Sequence, residues 1–136
     1  PGTGKTHLAA AIANHLMKTT EATAVYRTVG GILQHIKGSY DKEAGYTEKQ
    51  AFDVYSKALL LVIDEVGATK PTEFELATLF AIINARYEEM MPTVIISNLP
   101  AKELPAAMGE RCVDRLREGG GIAISFDWAS ARKVAP

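Results

Sequence analysis

Five aliphatic residues in a row, Leu59-Leu60-Leu61-Val62-Ile63, run directly into two carboxylates, Asp64 and Glu65. Successive side chains on a strand point to opposite faces, so an unbroken apolar run is buried on both. Such a strand belongs in a parallel sheet with helices on each side, an α/β three-layer sandwich. A buried strand that ends in two carboxylates needs a reason, because unpaired charge there is costly. A bound Mg2+ and a water attacking a phosphate supply one. Asp64 would hold the Mg2+ shell, and Glu65 would orient and polarise the water.

A second motif points to the same chemistry. Pro1-Gly2-Thr3-Gly4-Lys5-Thr6-His7 reads as the last part of a phosphate-binding loop, G-x-x-x-x-G-K-[ST], whose first glycine would lie upstream of Pro1. Gly2 and Gly4 let the backbone turn so that N–H groups face an anion. Lys5 would reach the β- and γ-phosphates, and the Thr6 hydroxyl would ligate Mg2+. Leu8, Ala11, Ile12 and Leu16 keep helical spacing, which predicts an amphipathic helix from about Lys5 to Lys18 whose N-terminal end adds positive potential. His15 lies on or beside its apolar face and reads as a packing residue.

Between the two motifs, Ala24–Val29 is β-rich, and Gly30-Gly31 is expected to break it before a helix beginning at Ile32. The stretch from Lys37 to Gly45 is polar and Gly-punctuated, an exposed loop by composition. Within it, Lys37 and Tyr40 pair a cation with an aromatic ring, a combination that suits single-stranded nucleic acid. A short helix from Glu48 to Ser56 leads into the aliphatic strand.

After Gly67, Thr72 and Glu75 form the T-x-x-E pattern that opens a helix. Leu76, Leu79, Phe80, Ile83, Tyr87 and Met90 carry its period, and Pro92 ends it. Thr93–Ser97 is another buried strand, ending at Asn98, which could hydrogen-bond the attacking water or the γ-phosphate. Ala101–Ala107 reads as a short helix and Gly109–Arg117 as another. On the latter, Arg111 and Arg115 share one face while Val113 and Leu116 turn to the core. Gly121–Phe126 is a last strand, followed by a polar tail with Trp128 and Arg132.

Composition narrows the class. With fifteen basic and sixteen acidic residues among 136, the chain is not a strongly basic nucleic-acid module, though a local basic groove remains compatible. Cys112 is the single cysteine, so neither an internal disulfide nor a multi-cysteine zinc site can form, which suits a reducing cytoplasm. No apolar run approaches the ~20 residues of a membrane span, so no membrane partner is expected.

Taken together, these motifs resemble the ATPase domain of the DnaC-type helicase loaders within the AAA+ superfamily. PGTGKTHLAAAIANHL is similar to the loader phosphate loop and first helix, LLLVIDEVG to the Walker B strand, and VIISNLP to the sensor-1 strand. MGERCVDRLREGGGIAISFDW is similar to the arginine-finger helix and final strand, and is the specific part. The resemblance implies ATP held by Gly2, Thr3, Gly4, Lys5, Thr6 and His7, with Mg2+ on Thr6 and Asp64. It implies Glu65 and Asn98 as catalytic residues, Arg115 as a finger acting on a neighbouring subunit, and Arg132 as a sensor-2 arginine. The implied function is ATP-driven loading of a replicative helicase of the DnaB type. The implied partners are that helicase, single-stranded DNA near Lys37–Tyr40, and further copies through the ATP sites. A transposition helper ATPase of the IstB type is the alternative, sharing the phosphate loop, Walker B and sensor motifs.

Residues 1–136 are thus expected to be a partial AAA+ domain beginning inside the phosphate loop. In the AAA+ strand order a missing strand would sit between the Thr93 and Gly121 strands. The expectation is therefore a gap there, with exposed backbone edges, weak stability and poor ATP binding by this piece alone.

Overall fold

The computed structural model describes Ala11, residues 24–118, and the backbone of 122–125. The expected first helix, the phosphate-loop residues Gly2 to His7, His15, Trp128 and Arg132 lie outside the described residues.

Among the described residues four strands form one parallel sheet in the order β1-β2-β3-β4: β1 Ala24–Thr28, β2 Leu60–Val66, β3 Thr93–Ser97 and β4 Ile122–Ser125. Helices α1 (Val29–Gly38) and α2 (Glu48–Lys57) connect β1 to β2, and α3 (Glu73–Glu88) connects β2 to β3. A short 3-10 turn (Ala101–Glu103), α4 (Leu104–Met108) and α5 (Glu110–Glu118) lead from β3 toward β4.

The expected gap between the third and fourth strands is absent. β3 pairs directly with β4, with Val94 opposite Ile122 and Ser97 opposite Ser125. Unpaired N–H and C=O groups along a buried strand are costly, and two parallel edges of compatible length remove that cost by meeting.

Alternation along β2 divides the interior. Leu61 and Ile63 join Ile95 and residues of all five helices, among them Ile32, Tyr55, Leu79, Met108 and Leu116, in the main core. Leu60 and Val62 face the other way, beside Val94 and Ile96, in a cluster built from strands. Both sets are buried, as a continuous aliphatic run demands.

Local signals explain most element ends, with corrections. Leu59 is 45% exposed and precedes β2, while Asp64 and Glu65 lie inside it. Gly30 and Gly31 do not break the chain; they sit in the first turn of α1, because the Thr28 hydroxyl caps that helix by accepting from the Gly31 N–H at 3.0 Å. Lys37 consequently belongs to a helix rather than a loop. Thr47 and Gln50 form a reciprocal capping box at α2. Thr72 caps α3 through the Glu75 N–H at 3.1 Å. Met90 follows α3 at φ 55° and is 84% exposed, and the inner face of that helix instead carries Ile82 and Arg86. Cys112 is buried, and burial pushes its thiol up to about 11, so it packs rather than reacts.

Candidate functional site

In a parallel α/β sheet, ligands bind beyond the carboxyl ends of the strands. At that edge, β2 carries Asp64 and Glu65, and the adjacent β3 ends in Ser97 followed by Asn98. The register explains how Glu65 comes to point outward. Ile63 pairs with Ile95 but Val66 pairs with Ser97, so β2 contains one extra residue at this point. The resulting bulge places Glu65 at φ 60°, a left-handed conformation that non-glycine residues seldom take. Asp64 is buried (3% exposed), whereas Glu65 points out and is exposed. In a regular strand Glu65 would follow Leu61 and Ile63 onto the helix-covered face; the bulge turns it outward instead, leaving an inner and an outer carboxylate.

The inner one is anchored twice. Asp64 Oδ1 accepts from the Glu65 N–H at 2.7 Å, and Oδ2 accepts from the Tyr26 hydroxyl of β1. A carboxylate has about four lone-pair sites, so capacity remains for a further ligand. Tyr26 had no sequence signal beyond lying in a strand; only the pairing of β1 with β2 brings it to Asp64.

The two strand ends are tied to each other. The Ser97 hydroxyl donates to the Val66 carbonyl at 2.6 Å and accepts from the Leu99 N–H at 3.1 Å. Gly67, at φ 82°, lies so close to Leu99 that an added Cβ would sit 2.3 Å from its Cδ1. Asn98, exposed, is held between these contacts beside the bulge. The structure thus brings together Asp64, Glu65 and Asn98.

Arg115 is elsewhere. Helix α3 starts just after the carboxyl end of β2 and returns to the start of β3, a run of about 24 Å at ~1.5 Å per residue. Tyr87 lies near its far end, and Arg115 Cζ sits 4.4 Å from the centroid of that ring. The Arg115 head is therefore near the amino edge of the sheet, across the domain from Glu65. Arg111 lies over Phe80 at 4.0 Å on the same helix pair.

The two residues of the nucleic-acid expectation have different surroundings. Lys37 Nζ lies 5.0 Å above the Phe74 ring of α3, while Tyr40 is 58% exposed. A hydrogen bond with Glu48 pushes the Tyr40 phenol above its ordinary pKa. Among the described residues no group of three or more His, Cys, Asp or Glu side chains gathers to hold a metal. Among them also no helix is long and apolar enough to cross a membrane.

Known proteins resemble this chain in sequence and in fold. The family of IstB-like ATP binding proteins matches residues 1–116. The replicative helicase loader DnaC of Escherichia coli (strain K12) is 35% identical over 132 residues, 97% of this chain and 53% of that protein. DnaC of Buchnera aphidicola subsp. Baizongia pistaciae (strain Bp) is 34% identical over 133 residues, 98% of this chain and 54% of that protein. The chain therefore spans about half the length of the curated relatives it matches. Among solved structures, a crystal structure of the DnaC helicase loader superposes with a TM-score of 0.78 at 21% identity, covering 92% of this chain and 74% of the other. The replication initiator DnaA bound to AMPPCP and single-stranded DNA superposes with a TM-score of 0.74 at 25% identity, covering 93% and 38%. The fold is thus the α/β fold of the AAA+ domains of DnaC and DnaA. With that fold, with the acidic pair and Asn98 at its carboxyl edge, and with a family match over residues 1–116, this chain belongs to the IstB-like ATP-binding proteins.

Proposed function

We propose that this chain is the ATP-hydrolysing domain of a replicative helicase loader, acting in DNA replication. The observation that carries the hydrolase reading is the outward turn of Glu65 at the bulge: a buried, doubly anchored Asp64 lies next to an exposed Glu65 beside Asn98. The similarity to DnaC over 97% of the chain supports the loader assignment.

ATP would lie across the carboxyl edge, its phosphates cradled by Gly2, Thr3, Gly4 and His7 and reached by Lys5. Asp64 and Thr6 fit Mg2+, which takes one or two oxygen donors from protein and keeps its waters. When bound, that ion would offset charge on the phosphates. Glu65 orients and polarises the water that attacks the γ-phosphorus, and Asn98 hydrogen-bonds that water or the γ-phosphate. As the new P–O bond forms, the bond to the bridging oxygen breaks, leaving ADP and phosphate. Arg115, remote from Glu65 of its own chain, would serve the ATP of a neighbouring copy, and hydrolysis would then require assembly. Arg132 would contact the nucleotide as a sensor. Lys37 and Tyr40 would meet single-stranded DNA.

The test is the native mass of the intact protein mixed with the replicative helicase of its own organism and ATP. A joint complex is expected, with Arg115→Ala keeping ATP binding and losing hydrolysis, and Lys5→Ala losing both. Absence of that complex, with ATP-dependent assembly on duplex DNA instead, would replace the loader by a transposition helper of the IstB type. Unchanged turnover in Arg115→Ala would remove the finger role.

A further inference from the structure

Two aromatic rings of α3 lie beneath the two arginines of α5. Phe80 carries Arg111 at 4.0 Å and Tyr87 carries Arg115 at 4.4 Å. Phe80 and Tyr87 are seven residues apart, two turns of helix, so they share one strip of α3. Among the described residues the salt bridges join Lys49 and Lys57 to Asp53, and neither arginine takes part in one.

A guanidinium stacked on a ring uses its flat face for that contact. Its five N–H donors lie in the plane, at the edge, and stay available as the fork that meets phosphate oxygens bidentately. The ring also removes rotamer freedom before any ligand arrives, so less entropy is lost when the fork engages. Transition-state stabilisation depends on donors that are already aimed. Arg115 additionally stands near the amino edge of the sheet, away from the acidic pair of its own chain. The anion that such a fork meets must therefore come from a second molecule.

We propose that Tyr87 is a positioning residue for Arg115, backing the guanidinium so that its donor edge is presented to the ATP of a second copy of this chain. This deepens the function proposed above and rests on it. Tyr87 touches no substrate; it acts through Arg115. The ring is what matters, since the Tyr87 hydroxyl reaches Glu118 Oε2 only at 3.4 Å.

The experiment uses the intact protein with ATP and single-stranded DNA, and follows nucleotide binding and hydrolysis separately. Tyr87→Leu is expected to bind ATP normally and hydrolyse it about tenfold more slowly, the size expected from losing one partly shielded cation–π contact. Tyr87→Phe is expected to retain wild-type turnover. Phe80→Leu, which removes a ring from the same helix seam, is expected to leave turnover within about twofold, since a seam merely loosened is an ordinary packing effect. Mixing Tyr87→Leu with Lys5→Ala should restore hydrolysis, because the Lys5→Ala subunits bring an intact Tyr87–Arg115 pair to sites that can bind ATP. Should Tyr87→Leu lose its cooperative thermal transition, Tyr87→Met, similar in volume and helix propensity, carries the same comparison.

Full turnover in Tyr87→Leu or Tyr87→Met, equal loss in Tyr87→Phe, or equal loss in Phe80→Leu would each overturn the proposal. So would failure of Lys5→Ala to restore the Tyr87 variant while it restores Arg115→Ala. If Arg115→Ala itself is not restored by Lys5→Ala, the trans-acting finger is what fails, and the two failures are thereby told apart.

Discussion

The Ser97 hydroxyl donates to the Val66 carbonyl across 2.6 Å, joining the last residue of β3 to the last residue of β2. It also accepts from the Leu99 N–H, so the backbone on either side of Asn98 is held by one buried oxygen. The position of Asn98 relative to Glu65 is thus set by a buried hydroxyl at the end of the neighbouring strand. Ser97→Ala leaves the buried Val66 carbonyl and the part-buried Leu99 N–H without this partner, a loss of about 1–3 kcal/mol. Urea denaturation should register that loss, and ATP turnover should fall several-fold with binding unchanged. Wild-type stability together with wild-type turnover would show that the Ser97 link does not position Asn98.

Glu65 combines a strained backbone with a chemical role. A non-glycine residue in the left-handed region costs roughly 1–2 kcal/mol. Glu65→Gly relieves that strain, and the greater freedom of glycine in the unfolded chain returns part of it. The expected net gain is about 1 kcal/mol in chemical denaturation. Glu65→Gln keeps the strain and should leave stability unchanged. Both variants should bind ATP and fail to hydrolyse it. If Glu65→Gln turned over normally, the water-activating role would be lost; if Glu65→Gly were destabilised, the bulge would not be a strained element.

Arg86 is fully buried with no carboxylate partner among the described residues. Its Nε donates to Thr93 Oγ1 at 2.8 Å, Nη1 to the carbonyls of Tyr55 (2.9 Å) and Ala58 (2.6 Å), and Nη2 to that of Pro92 (2.6 Å). One planar fork thereby fastens the end of α2 to the segment entering β3. Burial lowers its pKa to about 10, so it stays protonated near neutrality. A lysine cannot reproduce the fork and would leave carbonyls unpaired around a buried charge. Arg86→Lys should therefore cost about 3 kcal/mol or more. A thermal midpoint within a degree or two of wild type would contradict that account.

Glu75 gives stability a pH dependence. It is buried in the first turn of α3, and burial raises its pKa above the ordinary 4.5. Between the unfolded and folded values the native state binds more protons, so this group's contribution is full below the unfolded value and is lost as pH rises through the folded one. Glu75→Gln should accordingly raise the thermal midpoint at neutral pH, and the gain should vanish as pH falls below 4.5. An equal gain at every pH would assign the effect to packing instead.

Legibility of the fold followed the range of each interaction. The β2 run, the Thr72 cap and the buried Thr93–Ser97 strand follow from side-chain alternation, capping chemistry and hydrophobicity, which act within a few residues. Asp64, Glu65 and Asn98 were legible as strand-end polar residues, because a carboxylate or amide ending an apolar strand has few structural uses. Arg86 was hidden by its own chemistry. Helical periodicity counts arginine as an outer residue, and only the convergence of four acceptors from α2 and the entry to β3 makes an inner position tolerable.

What the sequence determined by itself was therefore, among the described residues, most of the helices and strands, the parallel character of the sheet and the polar residues at its carboxyl edge, since each depends on local pattern and burial. Only the tertiary structure decided that β3 lies directly against β4, that a bulge turns Glu65 outward while Asp64 stays in, that Tyr26 and Ser97 hold the site, and that Arg115 stacks on Tyr87 far from its own acidic pair. Each of these depends on which backbone edges and side chains meet across long sequence separations, and register and packing, not local preference, fix that meeting.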